Sequence, residues 1–182
     1  MLPIVDTGPP TWTVPGHSGS SFMLMKGDDR LFGVDAGTVQ DLSIDRELLQ
    51  GVCRLFKDNI WYINHFSSIC DSLTRGYILE PTLTDALSTL LAIHEPRFVA
   101  TMNDLTTFQV SLLRAILDGH TRFSSAEVIR QYGLNSSANV RRLKDALCKK
   151  EIVTFDPDDN PVLLDPLFEY WVRKYFFKMT TE

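Results

Sequence analysis

Cysteine is scarce in these 182 residues: Cys53, Cys70 and Cys148 are odd in number, widely spaced, and form no CxxC pair. That argues against a disulfide framework or a zinc ribbon and leaves reduced thiols, as in a cytoplasmic protein. Histidine is equally sparse. His17, His65, His94 and His120 make no metal-ligand spacing with one another or with the cysteines, so no metal is expected. No apolar run approaches the roughly 20 residues that span a bilayer, so no membrane role is expected. The start, MLPIVDTGPP, has no basic stretch followed by an apolar one, and no signal peptide is expected from it. Also missing is any GxxxxGK[ST] stretch, whose backbone amides and lysine would cradle nucleotide phosphates. No cofactor is expected.

What is present fits a globular protein, 44% hydrophobic and 23% charged. The net charge of −5 is unevenly spread. Residues 1–105 hold 7 Lys and Arg against 13 Asp and Glu, whereas residues 106–182 hold 11 against 10. The acidic first part is poorly suited to phosphate contacts, and the second is basic only locally.

Residues 1–21 are rich in Pro, Gly, Ser and Thr and predict a loop or irregular arm. Short apolar runs at 22–26 and 31–34 flank Gly27-Asp28-Asp29-Arg30 and predict a β-hairpin. Helical spacing then predicts a helix over about 43–56, carrying Leu48, Leu49, Val52 and Phe56. A second, over about 60–73, carries Tyr62, Ile63, Phe66, Ile69 and Leu73. Gly76 precedes a β-like fragment, Tyr77-Ile78-Leu79. A third helix opens at Pro81-Thr82 with Leu83, Ala86, Leu87, Leu90 and Leu91 on one face. Pro96 is expected to stop it, leaving a further turn or two over 97–103.

The second part carries sharper signals. Thr106 and Gln109 have capping-box spacing ahead of Phe108, Leu112, Leu113 and Ile116, with Asp118-Gly119 as the stop. Ser124 and Glu127 repeat that spacing, and Gly133 can take the left-handed conformation that ends the short helix between. Asn135, Ser136 and Ser137 offer capping oxygens to a helix with Val140, Leu143 and Leu147 on one face. This is a helix-turn-helix pattern. Runs at 152–155 and 162–164, joined by Asp156-Pro157-Asp158-Asp159-Asn160, supply a two-stranded wing with an acidic tip. Asp165-Pro166 then starts a last helix carrying Leu167, Phe168, Trp171, Val172, Tyr175 and Phe176.

The runs LTTFQVSLLRAILDG, SSAEVIRQYGLNSSANVRRLKDALCKKEIV and LLDPLFEYWVRKYF together resemble the C-terminal end of a prokaryotic AAA-type (STAND-like) ATPase family. SSANVRRLKDAL, residues 136–147, and DPLFEYW, residues 165–171, are the most specific matches. In that family a nucleotide-binding core is followed by a helical lid and a winged helix. The resemblance covers roughly residues 42–177, and the family's ATPase chemistry does not carry over without a P-loop. It implies a helical lid-like region followed by a winged helix-turn-helix; with the short N-terminal β-hairpin read from the residues in front, the fold class is mainly α. The corresponding divisions are an irregular arm with a hairpin at 1–40, a lid-like region at 41–104 and a winged-helix domain with its aromatic helix at 105–182.

Two functional readings follow. The first is a non-catalytic regulatory module docking a protein partner or the remainder of an ATPase assembly. The last helix has more aromatics than one buried stripe needs, so Tyr170, Trp171, Tyr175 and Phe177 are the candidate partner-binding residues. The alternative is a DNA-binding regulator reading double-stranded DNA through helix Ser137–Lys149. Ser137, Asn139, Arg141 and Arg142 would lie near the bases, and Lys149 and Lys150 near phosphates. A solvated helix with basic residues near its C-terminus explains the same charges through the helix dipole. Gly16-His17-Ser18-Gly19-Ser20 brushes against a nucleophile elbow but lacks its final glycine and the strand–turn–helix context, so it reads as a loop. Trp61, Tyr62, His65 and Phe66 read as packing rather than as a ligand-stacking face.

Overall fold

The computed structural model describes residues 11–13, 21–24, 30–35, 38–74 and 77–179, and they form a mainly helical protein. Two compact units divide it, Met1–Ile93 and His94–Glu182.

The first unit contains a five-stranded sheet in the order β1-β2-β3-β4-β5. β1 (Thr11–Thr13), β2 (Ser21–Leu24), β3 (Arg30–Asp35) and β4 (Thr38–Ile44) pair antiparallel in sequence order, and β5 (Tyr77–Ile78) runs parallel to β4. The expected hairpin is the β2–β3 pair, with Leu24 opposite Leu31 and Phe22 opposite Gly33. Its connection, 25–29, and the Gly16–Ser20 loop with His17 and Ser18 lie outside the described residues. Two strands correct the sequence reading. β1 falls within the expected loop, and β4 covers the expected start of the first helix, because pairing along β2 and along β3, respectively, supplies hydrogen bonds that local spacing does not reveal.

Asp45 then switches the chain from strand to helix by accepting a hydrogen bond from the Glu47 amide at 2.8 Å. Helix α1 (Arg46–Leu55) follows, and Asn59 caps α2 (Ile60–Leu73) through the Tyr62 amide. Val52, Phe56, Tyr62, Ile63, Phe66, Ile69 and Ile78 are buried, with Phe56 stacked on Tyr62 at 5.7 Å and edge-on to Phe66 at 5.3 Å. Leu73, expected on the buried face, is exposed.

Helix α3 (Glu80–Asn103) runs unbroken through Pro96. This corrects the expected stop. A proline inside a helix removes one backbone bond and crowds the preceding turn. Here the residues around it are anchored within the second unit. Phe98 is fully buried against Phe168 and Trp171, the Trp171 indole donates to Glu95 at 3.2 Å, and Arg97 donates to Asp165 at 2.6 Å. These contacts outweigh the local preference of the proline.

The second unit is the winged helix. Helix α4 (Thr107–Leu117) opens with the full capping box of Thr106 and Gln109. Helix α5 (Ala126–Tyr132) is capped by Ser125, one residue later than its spacing suggested, and ends on Gly133 at φ 63°. Helix α6 (Ser137–Lys149) is capped by Ser136 and buries Val140, Leu143 and Leu147. Strands β6 (Val153–Phe155) and β7 (Pro161–Leu163) form the wing. Helix α7 (Pro166–Trp171) starts on Asp165 with a proline in its first turn.

The chain leaves α7 through a π-helical turn, Val172–Phe176, rather than as continuing α-helix. The amide of Phe177, not of Phe176, reaches the Val172 carbonyl at 2.9 Å. The extra residue rotates the end of the helix. The partner candidate Tyr175 and its neighbour Phe176 are 47% and 43% exposed, while Phe177 turns back against Arg114.

Candidate functional site

The turn between α5 and α6 is built to hold α6 in one orientation. Gly133 and Asn135 (φ 72°) both take the left-handed conformation, which glycine and asparagine tolerate best. The Asn139 side chain donates to the Leu134 carbonyl at 3.0 Å, and its amide donates to the Ser136 hydroxyl. Asn139, a candidate base reader, thus helps to lock the turn. Ser137, Arg141, Arg142 and Lys149 are exposed along α6. Among the described residues neither Arg141 nor Arg142 has an ion-pair partner, and Asp145 is the one acid exposed on that helix. Lys150, a candidate phosphate contact, is instead paired with Asp104 and also donates to its carbonyl.

The wing is tied to α6 by a lysine that sequence spacing did not single out. Lys144 pairs with Asp159 at the wing tip and sits 4.0 Å from the centre of the Phe155 ring. Asp156 folds the tip on itself, accepting from the amides of Asp158 and Asn160 and from the Asn160 side chain. Those hydrogen bonds, with the Asn160 side chain foremost, hold its carboxyl below the usual range. Of the three tip acids, Asp156 is spent within the turn and Asp159 is neutralised by Lys144. Asp158 is left facing a polar cleft of about 390 Å³ shared with Arg122, Ser124 and Ser125.

At the back of the unit, Asp118 gathers Arg114 at 2.9 Å and the Tyr132 hydroxyl at 2.8 Å. Burial alone would raise the Asp118 carboxyl, but these two hydrogen bonds and the nearby Arg114 and His120 hold it below the ordinary value. Burial and the same carboxylate push the Tyr132 hydroxyl up to about 12. Arg173 donates to the Leu117 carbonyl at 2.7 Å, and Arg114 lies over Phe177, so the π turn is tied to α4.

Among the partner candidates, Trp171 is buried and bonded to Glu95, which gives it a structural place. Tyr170 and Phe177 are half-buried, and Tyr175 is exposed beside Phe176. Lys174 donates to the Tyr170 hydroxyl and lies over both the Tyr170 and Tyr175 rings. Phe176, next to Tyr175, lies outside the candidate set yet is exposed as well.

Burial foremost raises all three thiols, Cys70 to about 12, so none is an activated nucleophile. Among the described residues no three His, Cys, Asp or Glu side chains gather as a metal site. No helix among them is long and apolar enough to cross a membrane.

Residues 96–174 match a family model described as a probable winged helix domain. That span runs from the middle of α3 into the π turn and takes in the whole helix-turn-helix and wing. No curated protein and no solved structure is significantly similar to the chain. The winged helix is a fold compatible with DNA or protein partners and is typically non-catalytic.

Proposed function

We propose that the chain is a non-catalytic interaction module, resembling the C-terminal part of an AAA-type ATPase, that docks a protein partner or the remainder of such an assembly in the cytoplasm. Its winged-helix part is taken as 105–182, behind a lid-like region at 41–104 and an arm at 1–40. The observation that carries the reading is the π turn after α7, which turns Tyr175 and Phe176 outward next to Lys174. Large exposed aromatics beside a cation are typical anchors of a protein interface. A photo-crosslinking amino acid at Phe176 should yield one discrete adduct in cells, abolished by Tyr175→Ala. Absence of a specific adduct would count against the docking surface. Micromolar ATP binding in a calorimetric titration would overturn the non-catalytic part of the reading.

A second reading, DNA binding through α6, is favoured by one observation. Arg141 and Arg142 are exposed, with no ion-pair partner among the described residues, and Lys149 follows on the same helix. A gel-shift titration at several salt concentrations tests it. Removing both arginines should weaken duplex binding and relax its sequence preference, whereas Lys149→Ala should lower the salt slope by about one phosphate contact. No duplex binding at low salt, or binding unchanged in the double variant, eliminates this alternative.

A further inference from the structure

The first unit carries an apolar groove that its own described residues leave open. One wall is α1, with Leu48 and Leu55, and the other is the start of α3, with Leu83 and Leu87. Phe66 closes the floor. Helical spacing places Leu83 and Leu87 on the buried face of α3, yet both are half-exposed, whereas Ala86 and Leu90 on the same face are fully buried. The cavity is about 230 Å³, below the roughly 300–1,000 Å³ typical of small-molecule sites, so it suits an anchoring side chain better than a free ligand.

Two further features say what fits there. Gly51 lies in the middle of α1 and lines the groove, and a Cβ built on it would meet nothing within 4 Å. A glycine inside a helix destabilises it by roughly 0.5–1 kcal/mol relative to alanine. Here it opens a notch into which a second backbone can approach. The mouth is acidic. Glu47 and Glu80 stand at the starts of α1 and α3 and border both this groove and an adjoining cleft that also holds Asp45 and the exposed Tyr77 and Leu79. Neither Glu47 nor Glu80 has an ion-pair partner among the described residues.

We propose that this groove docks an amphipathic helix of a partner protein whose apolar anchors are flanked by lysine or arginine. The apolar walls take the anchors, the Gly51 notch admits the helix closely, and Glu47 and Glu80 meet the flanking cations. This surface belongs to the first unit and stands whatever the winged helix binds.

The test uses the full chain and a labelled peptide of about 18 residues, with leucine at i, i+3, i+4 and i+7 and lysine elsewhere, against its glutamate counterpart. The lysine peptide should bind saturably in the micromolar range and weaken with salt, and the glutamate peptide should bind at least about tenfold more weakly. Gly51→Leu fills the notch from the protein side. It should reduce lysine-peptide binding by about tenfold or more while the melting temperature holds or rises. Glu47→Lys with Glu80→Lys should reverse the preference between the peptides. No saturable binding, equal affinity for the two peptides, or binding indifferent to Gly51→Leu would overturn the proposal. So would a dimer, seen by sedimentation, that Gly51→Leu dissociates, since a second copy would then be the occupant.

Discussion

Replacing Pro96 by alanine has opposite consequences according to whether α3 runs through this position or stops before it. In a continuous helix the substitution restores a backbone donor and relieves the crowding of the preceding turn, worth up to about 3 kcal/mol. The Pro96 ring is exposed, so little packing is lost with it. Against this, alanine makes the unfolded chain freer by roughly 0.4–1 kcal/mol. The net expectation is a stabilisation of about 2 kcal/mol. For a unit the size of His94–Glu182 this raises the melting temperature by roughly 8–16 °C. Were the helix to end before Pro96, only the unfolded-state effect would remain, and the variant would melt lower. Circular dichroism melts give the sign, and the fluorescence of buried Trp171, read with Trp12 and Trp61 replaced by phenylalanine, reports on this unit in particular. Amide exchange across residues 92–100 should also slow in the variant. A lower melting temperature, or faster exchange there, would refute the unbroken α3.

Asp118→Asn should destabilise the second unit by about 1 kcal/mol at neutral pH, through its partly exposed bonds to Arg114 and Tyr132. The folded carboxyl is held low, so its contribution is complete above the unfolded carboxylate range, near pH 4, and fades as pH falls through the folded value. Urea titrations of both proteins should therefore converge in acid; a gap that persists there would exclude the ionised carboxylate as the cause. Lys144→Ala should cost about 1 kcal/mol and speed amide exchange in the wing, since it removes the Asp159 pair and the contact with Phe155. Unchanged exchange in β6 and β7 would mean that the wing is held otherwise. Trp171→Ala should cost about 3–5 kcal/mol, and Trp171→Phe clearly less, the latter losing the bond to Glu95 but keeping most of the packing. Equal losses in denaturant unfolding would show that the hydrogen bond, not burial, dominates.

Much of the second unit is legible locally because its signals act over three or four residues. The Thr106–Gln109 capping box, Gly133, Ser136 and the Asp165-Pro166 start each satisfy orphaned backbone groups close by, and each appears in the structure. The spacing of Val140, Leu143 and Leu147 likewise fixes the buried face of α6. Part of the candidate site was readable in the same way. Arg141, Arg142 and Lys149 fall outside that face and are exposed.

Tertiary structure alone decided the remainder, because it depends on partners far along the chain. The strand Thr38–Ile44 exists through its ladder with β3, and α3 continues past Pro96 through contacts made by Phe98, Arg97 and Glu95 with residues near 170. Lys150 is drawn to Asp104, and Lys144 to the wing, by side chains that no short spacing links to them. Helical periodicity assumes an unbroken α-helix, so it does not reveal the extra residue of the π turn, beyond which Tyr175 and Phe176 are both exposed. The same holds for Leu83 and Leu87. Sequence identified an apolar stripe on α3, but only the tertiary arrangement, with an open groove between α3 and the Gly51 side of α1, left part of that stripe uncovered.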